Sequence, residues 1–194
     1  PEFQHYFVYF GRLSGEKGVL TLLKALKHIS NRSVKLWIVG EGPEKEKLQR
    51  FAVENKLNQV QFLGLKVGEE LKSLVANAMF VVVPSEWYEN SPLVIYEAFA
   101  LGKPVIGSNL GGIPELIDPG QNGWLFEARN EEDLAEKIDY FLHHPATIRE
   151  FGKHARQKAE ACFSPEGHYQ KMMEFYKSIQ VSGSLSETNG VDCP

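Results

Sequence analysis

Short runs of consecutive apolar residues alternate along this chain with longer stretches of helical periodicity. Two of the runs, residues 7–10 and 80–83, are apolar at every position, which is typical of strands covered on both faces of a parallel sheet. Strands are predicted at residues 6–10, 35–39, 60–63, 80–83, 105–106 and 124–126. Helices are predicted at residues 18–29, 43–55, 69–78, 92–101, 113–117 and 131–143. This alternation predicts an α/β fold, a Rossmann-like three-layer sandwich with a mainly parallel sheet of about six strands.

Two further helical patterns follow the last predicted strand and its helix, at residues 145–162 and 165–179. The second carries an apolar stripe from Tyr169 to Ile179, which must cover either this domain or a part of the protein outside the chain. From residue 182 onward the residues are small and polar. We therefore expect one folded domain over residues 1–181, followed by a disordered or vector-derived tail at residues 182–194.

Composition narrows the class of protein. With 194 residues, of which 43% are hydrophobic and 24% charged, the chain resembles one soluble globular domain. The net charge of −4 gives no electrostatic reason to expect nucleic acid as a partner. No apolar run approaches the roughly 20 residues that a membrane-spanning helix needs. Cys162, Cys193 and the histidines and aspartates lack metal-ligand spacing, so we expect no protein-held metal and a reducing, cytoplasmic compartment.

The segment at residues 85–98 joins the fourth predicted strand to the following helix and carries Glu89 and Glu97. Ser91 suits the N-cap of that helix and Pro92 its first position, so unpaired N–H groups are expected between the two carboxylates. A helix N-terminus attracts anions, and Glu97 lies about nine ångströms along the helix at about 1.5 Å per residue. This layout suits a ligand with phosphate in its middle and hydroxyl-rich groups at both ends, such as a nucleotide diphosphate sugar.

The glutamate pair has two other interpretations. Glutamates are ordinarily solvated surface residues, but Glu97 lies in an otherwise almost wholly apolar helix. Glu89 follows a central strand, and ligands of α/β sheets bind at the carboxyl ends of such strands. A pair of carboxylates could also serve glycoside hydrolysis, although their separation along a loop and a helix makes a converging pair less natural.

A glycine-rich turn at residues 11–18 follows the first predicted strand and opens the first helix. Gly11 lets a ligand approach the backbone closely, and Arg12 and Lys17 supply two positive charges beside a helix end. The turn lacks the Gly-Lys-Ser/Thr of a P-loop and the Gly-x-Gly-x-x-Gly of dinucleotide folds. A ligand site for an anion is predicted here, with an ordinary turn carrying solvated cations as the alternative.

Two more glycine-containing turns follow predicted strands. The turn at residues 40–43 leads into a helix at Pro43, and ordinary turn chemistry is the favoured interpretation. Gly111 and Gly112 follow the fifth predicted strand and precede a short helix. Adjacent glycines in this position predict backbone N–H groups that face an anion or sugar hydroxyls.

In order along residues 6–180, these pieces resemble the C-terminal, nucleotide-sugar-binding domain of GT-B-fold retaining glycosyltransferases, most closely glycosyltransferase family 4. The matching motifs are Gly11-Arg12-Leu13, Glu16-Lys17-Gly18, Val39-Gly40-Glu41-Gly42-Pro43, Phe62-Leu63-Gly64, Pro84-Ser85, Glu89 with Glu97-Ala98, Ala100-x-Gly102-x-Pro104-Val105, Gly111-Gly112-x-Pro114-Glu115 and Gly123. Each motif alone is weak, whereas the ordered set is specific.

The resemblance implies roles for particular residues. Arg12 and Lys17 would hold the donor diphosphate and stabilise the charge that develops on it as it departs. Glu89 would bind hydroxyls of the transferred sugar, and Glu97 would bind the nucleotide ribose. The resemblance also implies transfer with retention of anomeric configuration, without a protein-bound metal or a cofactor.

Further positions follow from the same resemblance. Leu93 and Val94 would offer backbone N–H groups to phosphate, and the loop that begins with Gly64 and Leu65 would border the nucleobase. One departure concerns residues 90–91, where Asn-Ser replaces the Gly-x-Gly-like segment that the family often has. The donor-sugar side of the pocket is therefore expected to differ from the family pattern.

The resemblance further implies a two-domain enzyme whose N-terminal half binds the acceptor, a glycan, lipid or small molecule. We expect this domain to bind a UDP- or GDP-linked sugar but not to transfer it alone, and the full-length enzyme to associate peripherally with membranes. Three alternatives remain: a sugar-nucleotide epimerase, a phosphorylase, and a noncatalytic scaffold of the same fold. The first needs an acid/base set and the second a pyridoxal-phosphate lysine, and neither is evident in the sequence.

Overall fold

The computed structural model describes residues 5–163 and, beyond them, Met173 alone. The predicted last helix at residues 165–179 therefore lies outside the described residues except at Met173, as does the whole predicted tail at residues 182–194.

Over residues 5–163, six strands form one sheet in which neighbouring strands are parallel. They are β1 (Tyr6–Phe10), β2 (Lys35–Val39), β3 (Val60–Gly64), β4 (Val81–Val83), β5 (Val105–Ser108) and β6 (Gly123–Phe126). Their order across the sheet is β3-β2-β1-β4-β5-β6. The chain starts in the middle, runs outward to one edge, and returns to add β4 on the other side of β1. The order reverses between β1 and β4, and ligands of such sheets bind at that point.

In the described part of the chain, seven helices and one short 3-10 turn connect and flank the strands. The helices are α1 (Val19–Ala25), α2 (Lys45–Glu54), α3 (Gly68–Asn77), α4 (Leu93–Ala100), α5 (Ile113–Leu116), α6 (Glu131–His143) and α7 (Pro145–Cys162), and the 3-10 turn is Gly15–Lys17. The predicted bounds of α6 and α7 are those observed. The predicted first helix is too long, because the chain after Ala25 continues in tighter turns in which His28 N–H bonds the Ala25 carbonyl.

The sheet is buried on both faces, as the uninterrupted apolar strands predict. In β1, Phe7 and Tyr9 pack on the face covered by α1, α2 and α6, whereas Tyr6, Val8 and Phe10 pack on the face covered by α3, α4 and α5. All five side chains are at most 5% exposed. Burial of each such side chain contributes about 1.5–3 kcal/mol. The predicted three-layer α/β class is confirmed.

The fifth strand extends further than its apolar run. It was predicted to end at Ile106, with Gly107 following it, but β5 continues through Gly107 to Ser108, which pairs with Phe126. The Ser108 hydroxyl is buried and donates to the Ser85 carbonyl at 2.7 Å. A Gly-Ser pair predicts a turn locally, and pairing with β6 overrides that tendency. Gly64, likewise predicted to follow its strand, is the last residue of β3.

The start of α4 also corrects the prediction. The sequence predicts Ser91 as N-cap with Pro92 in the first helical position, but Pro92 is the N-cap, with ψ of 96°, and α4 begins at Leu93. The Pro92 carbonyl accepts the first bond of the helix, from Ile95 N–H at 2.9 Å. The Ser91 hydroxyl bonds instead to the hydroxyl of Tyr96 at 3.2 Å. The helix terminus remains where the sequence predicts it to within one residue. No helix in the described part of the chain is long and apolar enough to cross a membrane.

Candidate functional site

A hollow of about 350 Å³ opens at the carboxyl ends of β1 and β4, where the strand order reverses. Seven of the residues predicted from sequence line it: Gly11, Arg12, Lys17, Glu89, Ser91, Leu93 and Val94. They come from the loop after β1, the loop after β4 and the first turn of α4. Segments about 70 residues apart in sequence therefore meet in one site.

A second hollow, of about 360 Å³, adjoins the first. The two share Phe10, Gly11, Arg12 and Val94 as lining residues, so they form one continuous crevice. The second hollow is also lined by Leu65 and Glu97, two further residues predicted from sequence, and by Glu41 and Lys66. We call the first the Glu89 hollow and the second the Glu97 hollow.

The turn after β1 places Arg12 at the junction of the two hollows. The buried Tyr9 hydroxyl donates to the Arg12 carbonyl at 2.7 Å, and Gly11 N–H donates to the Val39 carbonyl at 3.0 Å. Burial, with a smaller contribution from the nearby charges of Glu89 and Glu16, raises the pKa of Tyr9 well above its ordinary value. Tyr9 is therefore a neutral donor at physiological pH, and it fixes the backbone of the turn.

The side chain of Arg12 is exposed, and no described residue forms an ion pair or a hydrogen bond with its guanidinium. Guanidinium groups bind phosphate through several N–H donors in one plane. Arg12 thus presents a permanent positive charge to both hollows.

Lys17 and Glu89 form the best-defined contact of the site. Their charged groups lie 2.5 Å apart between Nζ and Oε1, with side chains 31% and 20% exposed. The Ser85 hydroxyl donates to the same Glu89 oxygen at 2.6 Å. Burial by itself would raise the pKa of Glu89, but the bonds from Lys17 and Ser85 and the charge of Lys17 together hold that pKa below its ordinary value. Glu89 is therefore an ionised acceptor at neutral pH.

The first turn of α4 supplies backbone donors. Leu93 and Val94 line the Glu89 hollow, and the N–H groups of a first turn have no carbonyl available within their own helix. The macrodipole adds a partial positive charge at this end. Arg12, Lys17 and this turn together create a strongly anion-attracting wall.

Glu97 follows on the same side of α4, since it lies three residues beyond Val94 in a helix. Its side chain is exposed and has no hydrogen bond or ion pair with any described residue. Leu65, from the loop after β3, lines the same hollow, and the Gly64 carbonyl beside it accepts a bond from Gly40 N–H at 2.8 Å. Glu97 is thus an unpaired carboxylate about one helical turn from the anion-attracting wall.

Gly111 and Gly112 lie directly against the loop that carries Glu89. Gly112 N–H donates to the Glu89 carbonyl at 2.7 Å. A Cβ on Gly111, whose φ is +61°, would lie 2.8 Å from the backbone N and O of Glu89. The prediction that both glycines present N–H groups to a ligand is therefore wrong for Gly112, whose N–H is taken by the protein. Both glycines allow close approach of two backbones instead.

Among the described residues, no group of three or more His, Cys, Asp or Glu side chains is placed so that it could hold a metal ion.

Comparison with known proteins assigns the chain to a family. Residues 1–158 match the family model described as "Glycosyl transferases group 1". The chain belongs to the group 1 glycosyl transferases.

Curated relatives agree with this family. The chain is similar to an uncharacterized glycosyltransferase of Methanocaldococcus jannaschii, with 31% identity over 153 residues, 79% of this chain and 42% of that protein. It is also similar to the glycogen synthase of Mycobacterium tuberculosis, with 34% identity over 159 residues, 80% of this chain and 38% of that protein. This group 1 glycosyl transferase chain thus spans less than half the length of each relative.

Solved structures give the same fold. Anabaena HepE in complex with UDP and glucose superposes with a TM-score of 0.81 at 28% identity, over 90% of this chain and 48% of that chain. Sucrose-phosphate synthase from Thermosynechococcus elongatus superposes with a TM-score of 0.79 at 31% identity, over 91% of this chain and 46% of that chain. The Rossmann-like sheet of this group 1 domain therefore matches one half of GT-B glycosyltransferases.

Sequence reasoning did not assign roles to several residues that shape the site of this group 1 domain. Ser85 bonds Glu89, Ser108 bonds the Ser85 carbonyl, and Tyr9 bonds the turn of Arg12. Ser85 belongs to a motif that the resemblance rests on, so the sequence carried a signal for its presence. Tyr9 is part of an apolar run, which gives no sign that its hydroxyl is used.

Proposed function

We propose that this group 1 domain binds the nucleotide diphosphate sugar donor of a family 4 retaining glycosyltransferase. The transferase moves the sugar to a glycan, lipid or small-molecule acceptor held by a second domain. The observation that carries the proposal is the convergence of Arg12, Lys17, Glu89 and the first turn of α4 on one crevice. Such a crevice matches a ligand that is anionic in the middle and rich in hydroxyls at its ends.

The diphosphate binds at the centre of the crevice. Arg12 contributes a guanidinium that no described residue occupies, and Lys17 contributes an ammonium. The N–H groups of Leu93 and Val94 donate to phosphate oxygens, as helix N-termini do in other anion sites. HepE, a similar structure solved in complex with UDP and glucose, supports a nucleotide as the ligand.

The two ends of the donor occupy the two hollows. In the Glu97 hollow, the unpaired carboxylate of Glu97 accepts hydrogen bonds from the ribose hydroxyls, and the nucleobase lies beside Leu65. In the Glu89 hollow, Glu89 accepts bonds from hydroxyls of the transferred sugar. Lys17 already bonds Glu89, so one lysine joins the diphosphate subsite to the sugar subsite.

The chemistry is stabilisation of the leaving group. As the bond between the anomeric carbon and the diphosphate oxygen breaks, negative charge grows on the diphosphate. Arg12, Lys17 and the N-terminus of α4 stand ready to stabilise that charge, which is preorganised electrostatic catalysis. The acceptor hydroxyl attacks from the face that the diphosphate leaves and gives its proton to the departing diphosphate oxygen. Transfer requires neither a protein-held metal nor a cofactor.

The acceptor side of the site comes from a second domain. Large exposed apolar side chains lie in the loops at the carboxyl edge of the sheet or in the first turn of α4: Leu65, Val67, Trp87, Tyr88 and Leu93. Exposed apolar groups around a polar site are typical of surfaces that face another domain or partner. Alone, this domain binds donor but does not transfer sugar. The full-length enzyme works in the cytoplasm and associates peripherally with membrane.

Titration calorimetry with UDP and with GDP tests the proposal. We expect dissociation constants between micromolar and millimolar for the better nucleotide. Loss of the guanidinium in Arg12→Ala should weaken binding about tenfold or more, since bonds to charged groups contribute about 1.5–3 kcal/mol. Lys153→Ala, an exposed lysine on α7 outside the crevice, is the matched control and should bind like wild type. Absence of binding at millimolar nucleotide would overturn the proposal and favour a noncatalytic scaffold.

A further inference from the structure

Glu86 lies in the loop between β4 and α4, three residues before Glu89, and its carboxylate contacts two other elements. The hydroxyl of Thr21, in α1, donates to Glu86 Oε1 at 2.6 Å. Arg129, in the loop between β6 and α6, lies with Nε 3.3 Å from Glu86 Oε2. Both oxygens of one carboxylate therefore hold the loop to separate parts of the fold.

The backbone beside Glu86 is joined to the segment that carries Lys17. Glu86 N–H donates to the Glu16 carbonyl at 2.8 Å. A Cβ on Gly18, whose φ is +65°, would lie 1.8 Å from the Pro84 carbonyl. The segments at residues 16–18 and 84–86 thus run in direct backbone contact. Glu86 closes that contact from the side of the Glu89 loop.

This arrangement bears on the contact between Lys17 and Glu89. Two long, partly exposed side chains normally lose much of the gain of an ion pair in the entropy of holding one geometry. Here the backbones that carry them are fixed to each other through Glu86. Arg129 reaches Glu86 from a backbone with φ of 68°, a conformation that costs a non-glycine residue about 1 kcal/mol or more. The contact persists in spite of that cost.

We infer that Glu86 is a positioning residue, which sets the relative placement of Lys17 and Glu89 for a nucleoside diphosphate ligand. Glu86 touches neither of these side chains and acts through Thr21, the Glu16 backbone and Arg129. The choice of a nucleoside diphosphate as ligand rests on the proposed function. The placement of Lys17 relative to Glu89 by Glu86 does not. Glu86→Ala removes the carboxylate, while Glu86→Gln keeps its shape and one carbonyl acceptor.

The first test measures Glu89 in the absence of any nucleotide. The carboxyl of Glu89 is followed by ¹³C NMR during an acid titration in wild type, Glu86→Ala and Glu86→Gln. The charged groups that face Glu89 are Lys17 and Glu16, with Arg12 in the same hollow. Loss of positioning should raise the pKa of Glu89, because Lys17 no longer holds it. Loss of the Glu86 charge alone should lower that pKa, so the two explanations predict opposite signs.

In this titration Glu86→Gln should leave the pKa of Glu89 at or below its wild-type value. Glu160→Ala, which removes an exposed carboxylate paired with Arg156, is the matched control and should change nothing. A lowered or unchanged pKa of Glu89 in Glu86→Ala would overturn the inference.

The second test uses UDP as the probe. Glu86→Ala should weaken UDP binding about three- to tenfold, and Glu86→Gln should restore most of it. The effect should disappear when Glu86→Ala is made in Lys17→Ala protein, because a residue that acts through Lys17 has nothing left to position. Equal weakening in both backgrounds would assign Glu86 a structural role and overturn the inference.

The two tests separate two kinds of failure. If wild-type protein binds no UDP, the proposed function fails, and the titration of Glu89 still decides whether Glu86 positions the pair. Should Glu86→Ala fold poorly, Thr21→Val removes one of its bonds with little change in side-chain volume, and a smaller rise in the pKa of Glu89 is expected there.

Discussion

Each hollow of the crevice contains a glutamate, and the two glutamates differ in whether the protein itself binds them. In the Glu89 hollow, Glu89 is held by Lys17, Ser85 and the N–H of Gly112. In the Glu97 hollow, Glu97 is exposed and has no partner among the described residues. One carboxylate is fixed before any ligand arrives, and the other is left for the ligand to satisfy. Under the proposed function, Glu89 lies at the end of the donor where the bond is broken, and the preset geometry is found at that end.

The largest expected effect comes from adding a side-chain atom beside the backbone of Glu89. Gly111→Ala places a Cβ 2.8 Å from the Glu89 backbone at a φ of +61°, and should lower the free energy of unfolding by about 2 kcal/mol or more. Gly68→Ala is the matched control, since Gly68 has φ of +58° with nothing within 4 Å of its Cβ. Only the conformational cost of about 1 kcal/mol is expected there. Equal losses in urea denaturation would show that the close approach to Glu89 is unimportant.

The second-largest effect is expected from removal of the Lys17 side chain, which contacts Glu89 and faces the proposed diphosphate site. Lys17→Ala is expected to weaken UDP and inorganic pyrophosphate alike, by about tenfold, because the ammonium binds the diphosphate that both ligands contain. Calorimetric titration of both ligands measures this. If UDP binds Lys17→Ala protein as it binds wild type, the diphosphate does not lie at the Glu89 hollow.

In the Glu97 hollow, removal of the glutamate should affect only ligands that contain a ribose. Glu97→Ala is expected to weaken UDP about three- to tenfold and to leave pyrophosphate unchanged, because pyrophosphate has no ribose and a typical hydrogen bond contributes about 1 kcal/mol. The ratio of the two affinities is the measurement. Equal weakening of both ligands would mean that Glu97 acts on the phosphates or on the fold, and would remove the distinction between the hollows.

The smallest effect concerns pH. The folded-state pKa of Glu89 is lowered, so this carboxyl stabilises the fold above its unfolded value of about 4.3, and that stabilisation is lost as pH falls through the folded pKa. Glu89→Gln should therefore cost more stability at pH 7 than at pH 3. Urea denaturation of both proteins at the two pH values checks this. An equal loss of stability at both pH values would show that Lys17 and Ser85 do not favour the charged form of Glu89.

The sequence predicts the sheet and the position of the site because those features are local. Apolar runs mark the strands, and the carboxyl ends of strands mark the loops with Arg12, Lys17 and Glu89. Ser108 was missed as a strand residue because its environment comes from β6. Gly112 was assigned a ligand role because nothing local reveals that its N–H meets the Glu89 carbonyl.

The contacts of Glu86 show the same limit more clearly. Its partners Thr21 and Arg129 lie 65 and 43 residues away in sequence. Contacts between residues so far apart in sequence leave no helical or strand pattern along the chain. Glutamate, threonine and arginine are also all common on protein surfaces. Only the topology, which returns β4 to the side of β1, places them together.

That return of the chain has a consequence for how the domain assembles. Lys17 and Glu89 are separated by 72 residues, and three whole strands, β2, β3 and β4, lie in the interval. Closing so long a stretch of chain costs entropy that only the finished sheet repays. Partly folded chains therefore lack the pocket. A nucleotide that binds only the folded domain should raise its melting temperature, with a stabilisation that grows as the logarithm of one plus the ratio of nucleotide concentration to Kd.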